Sequence, residues 1–267
     1  MSYNILIGTP AYGGQVHTDY VKSILPLPSV GVNFNTVFIG NQSLITRARN
    51  EIFSMFVSEK ASMFSHLLFL DADIGIDHRH VRKMLDYQLP FIGAAVPLKG
   101  FKETGDLHFN TGKELDQSEN GLIEYDMVGT AVMMISRELA LNVANKAKED
   151  NLVYSKSGLR AKRDNWRIDN GIDVTYDVFK VGVYDDQYLS EDFFFCRYLR
   201  EMDYKILVDP SIPTRIQVYE LWENSETLAA HFDHPNYAKM AELLRDSGLT
   251  ESINQAYLVE KGEPVYG

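Results

Sequence analysis

The chain has 267 residues, 45% hydrophobic and 24% charged, the balance of an ordinary folded soluble protein long enough for one large α/β domain. A net charge of −11 argues against a surface built to wrap a phosphate backbone. Cys196 is the only cysteine, which excludes an intrachain disulfide and a cysteine zinc cluster, and no apolar run approaches the roughly 18 residues of a membrane span.

The start, "MSYNILIGTPAYGG", lacks the basic head and long apolar stretch of a signal peptide, so a reducing, cytoplasmic setting is expected. Instead "NILIGT" reads as a buried strand over 4–9, with "PAYGG" as the turn that ends it. "HTDYVKSIL" predicts a helix closed by Pro26 and Pro28, and "FNTVFIG" a second strand. "SLITRARNEIFSMFVSEK" predicts a helix with Leu44, Ala48, Ile52, Met55 and Phe56 on its buried face. "HLLFLDA", "DHRHVRKMLDY" and "FIGAAVP" continue as strand, helix, strand. That alternation predicts parallel strands joined by right-handed crossovers.

From Leu98 to Glu124 the chain turns polar and glycine-rich, which reads as a long functional loop. "YDMVGTAVMMI" predicts a strand and "SRELALNVANKAKED" a helix capped by Ser136. Strands and turns rich in acids are expected over 164–187, then the helix "SEDFFFCRYLREM", the short strand "KILVDP" and a mainly helical 225–248. Cys196 is expected to be a buried apolar residue. The fold class expected is one doubly wound α/β domain, its mostly parallel sheet flanked by helices and followed by an elaborated C-terminal part.

"LLFLDADIG" holds the chemistry. An apolar strand runs straight into Asp71 and Asp73, two carboxylates that are costly to desolvate and repel each other. In open α/β sheets ligands bind beyond the carboxyl ends of the strands. Residues i and i+2 of an extended chain point the same way, so both carboxylates are expected to face one hard cation, Mg²⁺ or Mn²⁺, with a phosphate-bearing ligand completing its shell.

With "GTPAYGG" at the first strand, "SLITRARN" at the second helix and "SED" opening a late one, the chain resembles the GT-A glycosyltransferases, in particular the small single-domain kind of phages and large algal viruses. The resemblance covers about Asn4 to Pro210. It implies a Rossmann-like, GT-A type fold in a single 1–267 domain, with a nucleotide-sugar half (1–97), an acceptor and catalytic half (98–224) and a C-terminal helical segment (225–267). It further implies transfer from a nucleoside-diphosphate sugar, UDP-linked by preference, to an acceptor hydroxyl on a glycan or another molecule, with inversion favoured. Asp71 and Asp73 would be the metal ligands, with Asp71 also near the ribose or sugar. Thr9, Pro10, Ala11 and Tyr12 would hold base and ribose, and Arg47 and Arg49 the phosphates. Lys99 would line the donor side, and Asp126 and Gly129 the acceptor side. Asp192 would be the general base, with Glu191 the second candidate.

Three points weigh against a simple transfer of the pattern. A helix N-terminus weakens a carboxylate base such as Asp192. The family's Gly-His pair after "KILVDPSIP" is missing, leaving His231 and His234 as substitutes for the metal-contacting histidine. The haloacid-dehalogenase-like phosphatases also end an apolar strand in D-x-D, with Asp185 and Asp186 as a downstream acidic pair, although Gly75 and the two preceding strand–helix units do not match them. A domain that binds nucleotide-sugar or glycan without turnover is the third reading. Nothing in the composition points to nucleic acid or membrane.

Overall fold

A computed structural model describes residues 2–101, 107–118, 120–155, 174–216, 225–235 and 239. The chain forms two compact units, Met1–Pro97 with Phe109–Val218, and Leu98–His108 with Tyr219–Gly267. The second carries the helix Ser225–Asp233, in line with the mainly helical stretch expected from residue 225. The prediction for 236–248 lies outside them, apart from residue 239.

In chain order the first unit contains β1 (Tyr3–Ala11), α1 (Thr18–Ile24), β2 (Val32–Gly40), α2 (Ile45–Val57), β3 (His66–Leu70), β4 (Ile74–Ile76), α3 (His78–Asp86) and β5 (Phe91–Gly93). The strands Pro97–Phe101 (β6) and Leu107–Phe109 (β7), almost wholly of the second unit, come next in the chain; the first unit resumes with β8 (Glu114–Gln117), β9 (Ile123–Tyr125), β10 (Val132–Ser136) and α4 (Arg137–Glu149). The remainder is β11 (Val153–Ser155), β12 (Val174–Tyr176), β13 (Gly182–Tyr184), β14 (Gln187–Leu189), α5 (Glu191–Glu201), β15 (Ile206–Val208) and β16 (Thr214–Ile216).

Eight strands form the central sheet in the order β2-β1-β3-β10-β5-β15-β9-β8. β1, β2 and β3 pair in parallel, as do β5 and β15, while β10 runs against both its neighbours and β9 against β15 and β8. The architecture is α/β, a large central sheet with most of its strands in one direction, flanked by helices. β1, β2, β3 and β5 run in one direction, as their alternation with helices predicts. The strand expected over "YDMVGTAVMMI" is confined to β10 and runs against its neighbours; "VMMI" is buried on both faces, and such a run reads the same in either direction.

Strand alternation divides the core in two. Ile5, Ile7, Leu68, Leu70 and Met134 face a cluster that includes Tyr20 of α1 and Met84 of α3. Leu6, Leu67, Phe69, Met133 and Ile135 face Ile52 and Phe53 of α2, Val143 of α4 and Phe195 of α5. Each such side chain contributes about 1.5–3 kcal/mol by leaving water. α2 can lie close on the sheet because position 8 is glycine: a Cβ there would come within 2.2 Å of the Ile52 Cγ2. Arg137, the first residue of α4, donates to the carbonyls of Phe56, Ser58 and Ala61 at 2.9, 3.1 and 2.8 Å, which fastens the end of α2.

The polar stretch after Leu98 is not a long loop. Its described residues form β6, β7, the edge strand β8 and its neighbour β9. All four residues of β8 are exposed, so no apolar pattern marks it as a strand. β1 also runs two residues further than expected, to Ala11, because β2 stays paired with it through Gly40. The β3 side ends at Gly8, so Pro10, which has no N–H to give, falls where β1 is flanked on one side only.

Candidate active site

Beyond Leu70 the chain leaves the extended state. The Asp71 N–H donates to the Ala131 carbonyl at 3.0 Å, and the Asp71 carbonyl accepts from Ile74 N–H at 3.1 Å, closing a turn across Ala72 and Asp73. The Ala72 carbonyl takes the His17 N–H at 2.8 Å, which ties this turn to the entry of α1. The extended geometry behind the expected pairing of Asp71 and Asp73 is absent: Asp71 opens a turn and Asp73 lies within it. Asp71 is half-buried and Asp73 exposed. They remain close enough that the charge of Asp73 disfavours ionisation of Asp71.

One guanidinium answers these charges from the opposite side of the cluster. Arg49 lies on α2 and is only 5% exposed. Its Nη1 donates to Glu191 at the start of α5, and its Nη2 reaches both carboxylate oxygens of Asp71 at 3.3 and 3.4 Å. The contacts to Asp71 are long for charge-assisted bonds. Among the described residues the Nε of Arg49 has no hydrogen-bond partner. Burial raises the pKa of Asp71 above the usual carboxylate range; Arg49 opposes that shift, and Asp73 and Asp192 add to it. Glu191 is raised for the same first reason, with Arg49 again opposing and Asp192 adding. Four carboxylates and one guanidinium thus meet at the carboxyl end of β3 and the amino end of α5. Fixed dipoles and charges at such a place suit a ligand carrying its own cation.

Asp192 is half-buried on the first turn of α5. The Ser190 hydroxyl donates to its Oδ1, which also takes the Phe193 N–H at 2.9 Å. Ser190 holds the cap position without accepting a backbone N–H, so its hydroxyl orients Asp192 instead of closing the helix.

The remaining predicted residues are placed as follows. Thr9 is fully buried and its hydroxyl bonds the Tyr20 hydroxyl at 2.7 Å, so its side chain is spent inside the fold. Ala11 is buried, Pro10 half-buried, and Tyr12 71% exposed on the turn that follows β1. Arg47 is half-buried with Nη1 3.5 Å from the Gln42 Oε1, at the limit of a hydrogen bond. Leu44 is exposed, contrary to the expected buried face, because the chain there is still extended ahead of α2. Asp126 accepts the Lys113 N–H at 2.6 Å, and Gly129 lies against Asn110, whose Nδ2 is 2.5 Å from where a Cβ would stand. The Lys99 side chain lies outside the described residues, as does that of His231. His234 is exposed in the second unit. Asp185 and Asp186 form a two-residue hairpin turn with φ of 48° and 62°, the paired left-handed geometry of such turns, and Asp185 pairs with Arg197 at 2.7 Å.

Sequence reading missed a second polar anchor on α2. Asn50 donates to Asp177 at 2.8 Å and exchanges bonds with the Phe179 backbone, while Ser54 takes the Tyr176 N–H at 3.0 Å. A run of polar residues at the centre of an otherwise apolar helix, "RNE", was the available signal. These bonds hold the 176–179 segment on α2 and seat Phe179 against Phe195, ring centroids 4.4 Å apart, beneath the carboxylate cluster.

Among the described residues no three histidine, cysteine, aspartate or glutamate side chains gather as a complete metal cage. The donor set still fits a hard divalent ion of the Mg²⁺ kind, which keeps several waters and uses one or two carboxylates plus substrate phosphates. Asp71 and Asp73 would hold it.

No family model and no curated protein matches the chain. Among solved structures, A197 from STIV is similar at 14% identity over 81% of this chain and 86% of that one, with a TM-score of 0.46. A glycosyltransferase involved in the glycosylation of the major capsid of PBCV-1 is similar at 11% identity over 55% and 65%, TM-score 0.32. The 4-diphosphocytidyl-2C-methyl-D-erythritol synthase from Anaerococcus prevotii is similar at 7% identity over 55% and 77%, TM-score 0.32. Likeness of this degree says nothing about the reaction. Among the described residues no helix is long and apolar enough to cross a membrane.

Proposed function

We propose that the protein is a metal-dependent glycosyltransferase that moves a sugar from a nucleoside-diphosphate sugar, UDP-linked by preference, to an acceptor hydroxyl with inversion. The observation that carries this reading is the coupling of Asp71 to Asp73, Arg49 and Asp192 at the carboxyl end of β3. Asp71 and Asp73 receive the cation, which when bound supplies Lewis-acid charge for the departing diphosphate. Arg49 keeps Asp71 and Glu191 in place and is a positioning residue. The turn after β1, with Tyr12 exposed on it, offers backbone groups and a ring to the nucleoside.

Two carboxylates compete for the role of base, and their surroundings separate them. Glu191 is 9% exposed and bound to Arg49, whereas Asp192 is steered through Oδ1 by Ser190 and Phe193, leaving Oδ2 for the acceptor proton. Asp192 is therefore the base. Proton transfer late in the reaction relieves the handicap of a helix N-terminus.

The test is thermal stability in the presence of UDP, GDP, CDP and dTDP, each with and without Mn²⁺. A ligand at about 100 times its dissociation constant adds roughly 2.7 kcal/mol to folding. One nucleotide is expected to raise Tm only with metal, and Asp73→Asn to abolish the rise. Stabilisation by fluoroberyllate with Mg²⁺, and by no nucleotide, would transfer the site to a phosphatase.

A further inference from the structure

With Asp192 as the base, Glu191 has no part in the chemistry so far, yet it lies 9% exposed at the start of α5 and takes Nη1 of Arg49. The same guanidinium turns Nη2 towards Asp71, at 3.3 and 3.4 Å from its two oxygens. A nitrogen set almost evenly between two oxygens makes no fork of parallel bonds, and both distances exceed the roughly 2.7–2.9 Å of a charge-assisted one. Among the described residues the Nε has no acceptor, so Glu191 and Asp71 share the charge between them. The side chains of Arg49 and Glu191 are 6% and 11% exposed, that of Asp71 27%, so Asp71 is the partner open to solvent. Arg49 cannot withdraw, because Asn50 beside it is bound to Asp177 and to the Phe179 backbone.

We propose that Glu191 is a positioning residue for the cation: by holding Arg49 it keeps the Asp71 carboxylate available as a metal ligand, an inference that rests on the transferase reading above. A buried guanidinium must be answered by the acids within its reach. The part of its charge that Glu191 answers is not drawn from Asp71. Without the Glu191 carboxylate, Asp71 is the one charged group bonded to Arg49 among the described residues, and it closes onto Nη2. A carboxylate so engaged has its charge offset and its lone pairs taken on that side. It is then a poor ligand for an ion of the Mg²⁺ kind, which relies on one or two carboxylates. Partners of this kind, one step removed from the ligand, commonly change metal affinity by about 10–100-fold.

Asp192 supplies the contrast. Its charge acts on Asp71 directly, but its Oδ1 is bonded to Ser190 and Phe193 rather than to Arg49. If the cluster attracted a cation through its summed negative charge alone, neutralising Asp192 would weaken binding as much as neutralising Glu191. Control through Arg49 makes Glu191 the more sensitive of the two. It also makes the effect of Glu191 vanish when Arg49 is absent, because there is then no guanidinium to hold. Removing Arg49 and Glu191 together leaves the net charge of the cluster unchanged.

The experiment is a titration with Mn²⁺ alone, read from the electron paramagnetic resonance signal of the free ion. It compares wild type, Glu191→Gln, Asp192→Asn and the double variant Arg49→Gln/Glu191→Gln, each shown to be folded by a melting curve without metal. Glu191→Gln is expected to bind Mn²⁺ about tenfold or more weakly than wild type, and Asp192→Asn within about threefold of it. The double variant should return to within about threefold of wild type. It buries no unpaired guanidinium, so it carries the test if Glu191→Gln does not fold. Equal affinity in wild type and Glu191→Gln, an equal loss in Asp192→Asn, or a loss of about tenfold in the double variant would overturn this inference alone. No uptake by the wild type would overturn the cation role of Asp71 and Asp73 as well.

Discussion

The guanidinium of Arg49 donates to the carboxylate of Glu191 across 142 residues of sequence, joining α2 to the first turn of α5. Their side chains are 6% and 11% exposed, so this ion pair lies where solvent screens little. Arg49 also serves Asp71, so removing it strands two carboxylates at once. Arg49→Met is expected to cost about 3–5 kcal/mol in urea unfolding at neutral pH. Adding Glu191→Met should recover a measurable part of it, and a strictly additive double variant would count against the coupling.

Asp73 is expected to separate function from folding. It is exposed and makes no bond that the turn requires, so Asp73→Asn should leave the unfolding free energy within about 0.5 kcal/mol of wild type. Sugar transfer, assayed with Mn²⁺ and the nucleotide chosen by the melting series, should fall by at least 100-fold. Equal loss of stability and activity would mean that Asp73 is structural.

Gly8 and Ile52 make a prediction about packing. Gly8→Ala places a methyl group 2.2 Å from the Ile52 Cγ2, and overpacking of this kind costs about 1–3 kcal/mol. Ile52→Ala, which removes the Cγ2 itself, should cost less in the Gly8→Ala background than alone. Chemical denaturation of the four proteins in the cycle measures the difference.

His66 sets an acid limit. Burial at the start of β3 lowers its pKa from 6.5 to about 4. Between those values the unfolded chain binds the proton and the folded chain does not, so stability falls as pH drops from about 6.5 to about 4 and this contribution is flat above. The loss should be on the order of 2–3 kcal/mol. His66→Gln should remove that slope from a plot of unfolding free energy against pH.

Arg137 tests the fastening of α2. Arg137→Ala leaves the Phe56, Ser58 and Ala61 carbonyls without their donor and should cost about 2 kcal/mol in urea unfolding. Arg137→Lys, which keeps the charge but not the planar fork, should recover only part.

The parts of this fold that were legible in the sequence are those whose burial leaves a pattern. β1 and β3 are apolar on both faces, α3 and α4 carry a cap residue at the expected place, and each was found within a few residues. β8 was hidden because an edge strand exposes its side chains and needs no apolar run, and β9 because three half-buried residues are too short a run to leave a pattern. At the site, the acidic residues of "DAD" and "SED" were readable as chemistry, but their geometry was not. The turn that separates Asp71 from Asp73 depends on the carbonyl of Ala131, some sixty residues away, and sequence spacing carries no trace of such a bond. Arg49 read as a phosphate ligand through the resemblance, the alternative being a solvated arginine early in an amphipathic helix. Its burial between two acids is settled by tertiary packing.

β10 enters the sheet from the end at which β3 leaves it. The segment that precedes it therefore arrives beside Asp71 from its own side of the molecule, independent of the crossovers that follow β1 and β3. Residues 110–127 make up much of that approach. Exchanging them as a cassette would reshape the surface beside Asp71 while the loops after β1 and β3 kept their lengths.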